Sequence, residues 1–321
     1  MKPDGFATDL HRKPDVLDRL AATLADGNPW TEVVPRDVER VVLLGMGSSA
    51  YAGGVAAARM RAHGVVATSE LASSRLLPRW GADTLVVATS ASGGSIETLD
   101  ALGRLPDTVN TVALTNTPGS TITERCGAVV DLAAEPELGG VACRSYQHTL
   151  ALLMALECHL LGGDTGALAD AIGAAAAASR HLLDTESDWR PTLSELLLGP
   201  AGTHLAAPAH RFCSAQQGAL MLREGPRLPA VGCETGDWSH VDVYLTKTTD
   251  YRLLVFAGSS WETQLAEWTT ARGSIVVGVG GDVPGARQLL RYPGDDDDDV
   301  RLLTEVLVPE LIAAAVWQTV V

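Results

Sequence analysis

One local pattern recurs along this chain and limits the folds that the chain can adopt. A short apolar run is followed by a loop of glycine and serine and then by apolar residues at helical spacing, as in LVVATSASGGSIETL at residues 85–99. This order indicates a buried strand, a loop and the start of a helix. Strands that alternate with helices form parallel sheets with helices on both faces, so we predict an α/β fold of doubly wound parallel sheets.

The second half of the chain repeats the first. The segment LLVFAGSSWETQL at residues 253–265 parallels the segment at 85–99, and both contain a Glu-Thr pair, Glu97-Thr98 and Glu262-Thr263. An internal duplication into two αβα-sandwich subdomains explains this repeat. We predict an N-terminal helical segment at 1–37, a first domain at 38–185 and a second domain at 186–321, with the boundary near residues 184–191. Because the second loop is shorter and poorer in serine, we expect that it has lost its anion site.

Two loops in the first half offer hydroxyls and backbone N–H groups at strand ends. One is GMGSS at residues 45–49 and the other is SASGGS at residues 90–95. Backbone N–H groups at the start of a helix can bind a phosphate group. The alternative is structural, with Ser95 capping the helix and the glycines permitting a tight turn. Since two such loops at strand ends converge on one compact group, we favour the phosphate of a sugar phosphate.

A dinucleotide site is another alternative for the first of these loops. Residues 45–50, GMGSSA, match the G-x-G-x-x-A form of the dinucleotide fingerprint, and Glu70 ends the next strand, where a ribose-binding acid belongs. This interpretation predicts an NAD-dependent enzyme. Against it, Ser48 and Ser49 place hydroxyls where a dinucleotide loop usually needs only backbone.

Charge and composition argue against several classes of protein. The formal net charge of -15 argues against a nucleic-acid surface, which relies on clustered Lys and Arg. No stretch reaches the ~18 apolar residues of a membrane span, and the first residues contain no apolar signal region, so we expect a cytoplasmic protein. The five cysteines contain no CxxC pair, and we expect no disulfide framework, no metal site and no cofactor. The acidic run Asp295–Asp299 is interpreted as a solvated, mobile loop before a final helix at 301–319.

Taken in order, these segments resemble the sugar isomerase (SIS) domain family. The similarity is to the tandem SIS isomerase module of glucosamine-6-phosphate synthase without its glutaminase domain, and it extends from about residue 38 to residue 290. The segments that carry it are GSS at 47–49, SELAS at 69–73, SASGGS at 90–95, NTPGS at 116–120 and EPELGGVA at 135–142.

The resemblance implies that the first half binds a phosphate and the second half supplies an acid and a base. It assigns to the substrate phosphate and the nearby hydroxyls the residues Gly47, Ser48, Ser49, Ser90, Ser92, Gly93 and Ser95. The segment ALMLRE at 219–224 is similar to the family helix that bears the catalytic glutamate, here Glu224, which moves a proton between C1 and C2. Sixteen residues later, His240 takes the position of the ring-opening histidine. The alternatives are an exposed helical glutamate and a loop histidine without a role.

The resemblance also implies a homodimer, because in the family this histidine reaches the site from a neighbouring subunit. Two departures from the family limit the reaction. The synthase has a lysine where this chain has Met221, and it has a lysine in a C-terminal tail that forms a Schiff base with the ketose, whereas this chain contains only Lys2, Lys13 and Lys247. We therefore expect aldose–ketose isomerisation through an enediol-type intermediate without a lysine Schiff base. A ketosamine-phosphate deglycase or deaminase, a non-catalytic sugar-phosphate sensor and an NAD-dependent enzyme stay open as alternatives.

Overall fold

The computed structural model describes residues 1–36 and 38–320, so Asp37, the last residue of the predicted N-terminal segment, and Val321 lie outside the described residues. The chain divides into two compact units. The first-sheet unit comprises residues 16–137 and 142–172. The second-sheet unit comprises residues 1–15 and 138–141 together with the chain from Gly173 onward.

The first-sheet unit is built on a five-stranded parallel sheet. Its strands are β1 (Arg40–Gly45), β2 (Val66–Leu71), β3 (Thr84–Thr89), β4 (Asn110–Thr115) and β5 (Ala128–Asp131). Its helices are most of α2 (Lys13–Asp26), α3 (Ser48–Ala62), α4 (Ile96–Leu102), α5 (Arg144–Leu160) and the start of α6 (Gly166–Asp184), with a 3-10 helix at Thr121–Glu124.

The strands of this sheet lie in the order β2-β1-β3-β4-β5, and every neighbouring pair is parallel. All six residues of the central strand β3 are buried, which is why its sequence is an uninterrupted apolar run and not an alternating one. One core cluster joins the sheet to helix α4 through Val42, Val86 and Ala101. The α/β fold predicted from the sequence is confirmed.

The second-sheet unit contains the other five strands. They are β6 (Thr203–Ala207), β7 (Ala230–Glu234), β8 (Arg252–Phe256), β9 (Ile275–Val279) and β10 (Gln288–Leu290). Its helices are α1 (Pro3–His11), the rest of α6, α7 (Glu186–Leu197), α8 (Phe212–Glu224), α9 (Glu262–Ala271), α10 (Asp298–Thr304) and α11 (Leu307–Val320), with 3-10 helices at Ala209–Arg211, Asp237–Ser239 and Asp242–Lys247.

The second sheet repeats the topology of the first. Its strand order is β7-β6-β8-β9-β10, and all of its pairs are parallel. Replacing each strand by the one five places earlier in the chain reproduces the order of the first sheet. The prediction of two α/β subdomains is therefore confirmed, and their common strand order agrees with an internal duplication.

Two segments cover opposite faces of the second sheet. Helix α8 packs on the face to which Leu205 of β6 points, since a Cβ added at Gly218 of this helix would lie 2.7 Å from the Leu205 side chain. The next residue of β6, Ala206, points to the other face because side chains alternate along a strand. There it belongs to a core cluster with Trp238 and Val243, which follow β7. Helix α8 and the segment 237–247 thus lie on different sides of the sheet, as right-handed crossovers in opposite directions require.

The first fifteen residues pack within the second-sheet unit. The Phe6 ring lies 6.0 Å from the Trp317 ring of α11, and the ammonium group of Lys13 forms a fully buried ion pair with Glu310 of the same helix. These contacts explain why the unit limits differ from the predicted domain limits. Residues 184–191, predicted as a boundary, form the end of α6 and the start of α7.

Two predicted helical segments each contain two helices. The N-terminal helical segment at 1–37 contains α1 and α2, which are separate because Pro14 lacks the N–H that would continue α1. The helix expected over 301–319 consists of α10 and α11. Within residues 1–36 and 38–320, no helix combines the length and the apolar character that a membrane span requires.

The run Asp295–Asp299 is not a loop throughout, since Asp298 and Asp299 begin α10, although Asp296, Asp297 and Asp298 are exposed as predicted. The Asp297 carboxylate caps α10 by accepting hydrogen bonds from the N–H groups of Asp299 and Val300, at 2.8 and 3.2 Å. Asp295 is buried, and its carboxylate accepts two hydrogen bonds from Arg291, at 2.5 and 2.9 Å. The acidic residues therefore begin a helix and anchor it through a guanidinium group.

Candidate active site

The two glycine- and serine-rich loops of the first half follow neighbouring strands. Strands β1 and β3 are adjacent and in register, with Leu44 opposite Ala88. The chain leaves β1 toward β2 and leaves β3 toward β4, so the strand order reverses between β1 and β3. In open α/β sheets the crevice beyond the carboxyl ends of the strands at such a reversal is where ligands bind. Both loops therefore lie at the expected ligand-binding edge of the first sheet.

The loop after β1 is shaped by two glycines. A Cβ at Gly45 would lie 2.9 Å from the Ser49 Cβ, so only glycine lets the first turn of α3 approach the strand this closely. Gly47 has φ +52° and ψ -127° and precedes the first residue of α3. Ser48 and Ser49 are the first two residues of this fifteen-residue helix, and both are half-buried. Their hydroxyls thus lie at the positive end of the α3 dipole.

The loop after β3 is held by backbone contacts around Gly93. Its N–H donates to the Ser90 carbonyl at 2.9 Å, and its carbonyl accepts from the N–H of Ile122 at 3.0 Å. With φ +67°, Gly93 adopts a left-handed conformation. A Cβ there would lie only 1.8 Å from the Ser120 Oγ, so the position accepts no other residue without displacing the next loop.

The three serine hydroxyls of this loop bond within the loop. Ser95 caps α4, because its Oγ accepts hydrogen bonds from the N–H and the hydroxyl of Thr98, at 3.3 and 3.0 Å. The same Oγ donates to a carboxylate oxygen of Glu97 at 3.1 Å. The hydroxyls of Ser92 and Ser90 each accept a backbone N–H, from Gly94 and Ser95, at a long 3.4 Å. The capping role of Ser95 is confirmed, and the long bonds leave N–H groups that a stronger acceptor can take over.

The corresponding loop of the second half is filled by the chain's own carboxylate. One oxygen of Glu262 accepts hydrogen bonds from the N–H groups of Gly258 and Ser259, at 2.6 and 2.8 Å, and this side chain is buried. An internal carboxylate thus occupies N–H groups of this loop, in agreement with the expectation that the second loop binds no external anion. The sequence contains a signal for this contact, since Ser259 and Glu262 have the S-x-x-E spacing of a capping box.

A buried arginine occupies the strand reversal of the second sheet. Arg211 follows β6 and forms an ion pair with Glu305, donates to the Ala257 carbonyl and lies 3.3 Å from an oxygen of Asp298. Burial raises the pKa of Glu305 to about 7, although the Arg211 guanidinium acts to lower it. No local pattern in the sequence predicts this cluster, because its members are far apart in the chain.

Glu224 and His240 lie on opposite faces of the second sheet. Glu224 is the half-buried last residue of α8, and the following Gly225 packs against the Trp317 indole. His240 is exposed at the end of the 3-10 helix Asp237–Ser239, where its N–H donates to the Asp237 carbonyl at 2.8 Å. Since α8 and the segment 237–247 cover different faces, the structure does not bring these two side chains of one chain together.

The segment 135–142, which is part of the family resemblance, immediately precedes helix α5. The Glu137 carboxylate accepts hydrogen bonds from the N–H groups of Cys143, Arg144 and Ser145, at 2.7, 2.8 and 3.1 Å. It also accepts one from the Ser145 hydroxyl at 2.8 Å. An internal anion therefore occupies the start of this helix too. Among the described residues, no group of three or more His, Cys, Asp or Glu side chains is placed to hold a metal ion.

Comparison with known proteins identifies the first part of the chain. Residues 36–157 match the SIS domain family. The chain is 27% identical over 266 residues to a glutamine–fructose-6-phosphate aminotransferase (isomerizing) of Halobacterium salinarum, an alignment that covers 78% of this chain and 44% of that protein. The chain thus spans less than half the length of this relative.

Solved structures show the same fold over nearly the whole chain. The C-terminal domain of glucosamine-fructose-6-phosphate aminotransferase from Francisella tularensis superposes with a TM-score of 0.82 at 15% identity, covering 99% of this chain and 98% of that one. Tagatose-6-phosphate ketose/aldose isomerase from Escherichia coli superposes with a TM-score of 0.77 at 14% identity, covering 98% and 93%. These structures show the fold, while the family match shows a SIS domain at residues 36–157 and the sequence similarity shows homology to the isomerase part of such aminotransferases.

Proposed function

On the premise that this chain contains a SIS domain, we propose that the protein is a sugar-phosphate isomerase. It interconverts an aldose phosphate and a ketose phosphate by moving a proton between C1 and C2. The observation that carries the proposal is the position of the two serine-bearing loops, side by side at the strand reversal of the first sheet. Similarity to an aminotransferase that is named as isomerizing and to a ketose/aldose isomerase supports the same reaction class.

The phosphate of the substrate binds between these loops. Ser48 and Ser49 offer hydroxyls at the start of α3, and Ser90, Ser92 and Ser95 offer hydroxyls after β3. A phosphate replaces the long internal hydrogen bonds of the loop after β3 with charge-assisted ones, which are shorter and roughly twice as strong. Such a site neutralises the phosphate with dipoles, which suits a chain of net charge -15.

Glu224 and His240 perform the proton transfers. The imidazole of His240 passes a proton between O1 and the ring oxygen to open the cyclic sugar, because imidazole titrates near neutral pH. The Glu224 carboxylate then takes the proton from C2 of the open-chain aldose, which leaves an enediolate with its negative charge on O1. A proton moves from the C2 hydroxyl to O1, and the Glu224 carboxyl returns its own proton to C1, which gives the ketose and restores the carboxylate. No imine is part of this route. Of the three lysines in the chain, Lys13 is fully buried against Glu310, and the position on α8 that holds a lysine in the synthase is Met221.

Two copies of the chain complete each site. Glu224 and His240 lie on opposite faces of one sheet, so a substrate that contacts both takes them from different chains. A twofold homodimer contains two such sites, each with Glu224 of one chain and His240 of the other.

Mixing two inactive variants tests the shared site. E224Q and H240N are co-expressed with different tags, and the mixed dimer is isolated by both tags. One of its two sites then holds an intact Glu224 and an intact His240, so about half of the wild-type activity is expected. If both residues act from one chain, the mixed dimer is as inactive as each parent. A mixed dimer of E224Q with H181N, which changes an exposed histidine of α6, serves as the matched control.

Solvent isotope exchange tests the reaction itself. In D2O the wild type is expected to place deuterium at C1 or C2 of its substrate in a panel of hexose, pentose and amino-sugar phosphates, read by proton NMR. E224Q is expected to abolish this exchange while it still binds the sugar phosphate, whereas E267Q, on the exposed surface of α9, leaves the exchange intact. Exchange that persists in E224Q contradicts the assignment of the base.

The same panel separates the alternatives. Release of ammonia from an amino-sugar phosphate indicates a deaminase or deglycase. Thermal stabilisation by sugar phosphates without any isotope exchange or turnover indicates a sensor, because a ligand that binds only the folded state raises the melting temperature. Stabilisation by NAD and not by hexose phosphates indicates a dinucleotide enzyme.

A further inference from the structure

A buried network of hydrogen bonds lies beneath the segment that contains His240. The indole N–H of Trp238 donates to the Tyr251 hydroxyl at 2.8 Å, and this hydroxyl donates to the Oδ2 of Asp242 at 3.4 Å. The Nδ1 of His204 lies 3.2 Å from the same carboxylate oxygen. The His204 and Tyr251 rings stack with their centres 4.2 Å apart. Four polar side chains from separate parts of the second half thus meet on one face of the sheet.

The groups in this network have assigned hydrogen-bonding roles. Burial and the neighbouring Asp242 raise the pKa of Tyr251, so the phenol keeps its proton and acts as a donor. The Asp242 carboxylate accepts this bond, and its Oδ2 also accepts from His204 in the tautomer that carries a proton on Nδ1. The Cys233 thiol also faces this site, and burial together with Asp242 raises its pKa to about 12, so it stays neutral. All four network side chains are at least nine-tenths buried.

The network fixes the chain on both sides of His240. Trp238 precedes the histidine by two residues and Asp242 follows it by two, and both side chains point into the core while that of His240 is exposed. Between them, the N–H groups of His240 and Val241 donate to the Asp237 carbonyl, at 2.8 and 3.1 Å. An exposed imidazole is therefore presented from a backbone that is anchored at two points four residues apart.

We propose that His204, Asp242 and Tyr251 are positioning residues that hold His240 for ring opening. This inference rests on the function proposed above and adds to it a set of residues outside the reacting atoms. A catalytic group has to be held within about 0.5 Å of its working position by packing and by hydrogen bonds of the residues behind it. A misplacement of about 1 Å costs on the order of 100-fold in rate. Loosening either anchor therefore lowers the ring-opening rate and leaves the phosphate site of the first half unchanged.

Two substitutions with matched controls test the proposal. D242N replaces the carboxylate shared by His204 and Tyr251 with an amide, whose oxygen is uncharged and accepts hydrogen bonds more weakly. Y251F removes the hydroxyl that bridges Trp238 to Asp242. The control for the first is D250N, an exposed carboxylate that pairs with Arg252. The control for the second is Y244F, on the exposed side of the 3-10 helix Asp242–Lys247.

Ring opening is measured apart from isomerisation. The anomers of a bound cyclic sugar phosphate interconvert through the open chain, and carbon-13 exchange NMR gives the rate of this step. E224Q is used as the background, since it retains ring opening and lacks the proton transfer at C2. In that background, D242N and Y251F are expected to lower the anomerisation rate tenfold or more, with less than a threefold change in the Kd of the sugar phosphate. D250N and Y244F are expected to leave both unchanged.

Amide hydrogen exchange gives a readout that does not depend on activity. In D242N and Y251F, peptides that cover residues 235–249 are expected to exchange faster than in the wild type, while peptides of α8 exchange at the same rate. Unchanged exchange in residues 235–249, or an unchanged anomerisation rate in D242N, overturns the inference. A wild type that opens no sugar phosphate overturns the proposed function and with it the role of the network. This outcome is recognised because the wild type then shows no enzyme-dependent anomerisation, as the variants do.

Discussion

Gly93 is the position where a small change tests the geometry of the proposed phosphate loop most directly. The change is G93A. Its cost has two parts, because Gly93 has φ +67° and because a Cβ there would lie 1.8 Å from the Ser120 Oγ and 2.5 Å from the Ser120 Cβ. The left-handed conformation costs an alanine roughly 1–2 kcal/mol. Displacing a packed neighbour costs about 1–3 kcal/mol more. We expect G93A to lower the free energy of unfolding by about 2–5 kcal/mol in total.

A neighbouring glycine separates the two parts. Gly119 has φ +82°, and a Cβ there meets no atom within 4 Å, so G119A pays only the conformational cost of roughly 1–2 kcal/mol. The steric part is measured by the double variant G93A/S120G, since S120G removes the atoms that the new Cβ would strike. We expect the cost of G93A in the S120G background to fall to that of G119A, which is a coupling energy of about 1–3 kcal/mol.

The assay is urea unfolding followed by circular dichroism for the wild type, the three single variants and the double variant. Inorganic phosphate and a sugar phosphate are titrated against each folded variant by calorimetry. G93A is expected to weaken the binding of both ligands, because the loop moves to relieve the contact, whereas G119A binds nearly as the wild type does. If G93A costs no more than G119A, or if S120G leaves its cost unchanged, the close packing of the two loops is refuted.

Three further changes probe the charged groups outside the loops. K13M leaves Glu310 buried without its cation and is expected to cost about 3–5 kcal/mol in urea unfolding, whereas K13M with E310L recovers most of this loss. Burial raises the pKa of Glu305 from 4.5 to about 7, so the folded state binds more protons between these values, and the contribution of this group to stability falls as the pH rises from about 4.5 to about 7. E305Q, which leaves Arg211 in place, is expected to remove this fall. The slope of the free energy of unfolding against pH then changes near pH 6 by up to about 1.4 kcal/mol per pH unit. An unchanged slope contradicts the assignment. E137A removes the acceptor of three N–H groups and is expected to lower the free energy of unfolding by about 2 kcal/mol. E137Q is expected to lower it by less than half of that, because an amide oxygen still accepts hydrogen bonds. Equal costs for the two variants would show that the charge, and not the acceptor, stabilises the helix start.

Much of the fold follows from local patterns in the sequence. Strand β3 is an apolar run because all of its residues are buried, and the cap of α4 is visible as a serine before an apolar helical pattern. The run Asp295–Asp299 was predicted as a loop from its composition alone, whereas Asp297 caps α10 and Asp298 and Asp299 begin it. Arg291, four residues before Asp295, was a visible signal that the Asp295 carboxylate is paired.

The candidate site was less predictable, for a topological reason. The spacing of sixteen residues between Glu224 and His240 does not reveal on which face of the second sheet each residue lies. Only the strand order shows that the chain crosses the second sheet between these residues. The network of His204, Asp242 and Tyr251 was equally hidden, because its members come from two strand starts and one short helix that are up to 47 residues apart (251 minus 204).

The two halves also show how one duplicated loop acquires two roles. Seven residues, 90–96, separate the end of β3 from Glu97, whereas five, 257–261, separate the end of β8 from Glu262. In the shorter loop the glutamate reaches the N–H groups of Gly258 and Ser259 and is buried on them. In the longer loop the glutamate stays exposed on the Ser95 hydroxyl, and the loop N–H groups bond weakly to other serines. Two added residues thus keep the internal anion away from the first loop, which explains why the phosphate is proposed to bind only there.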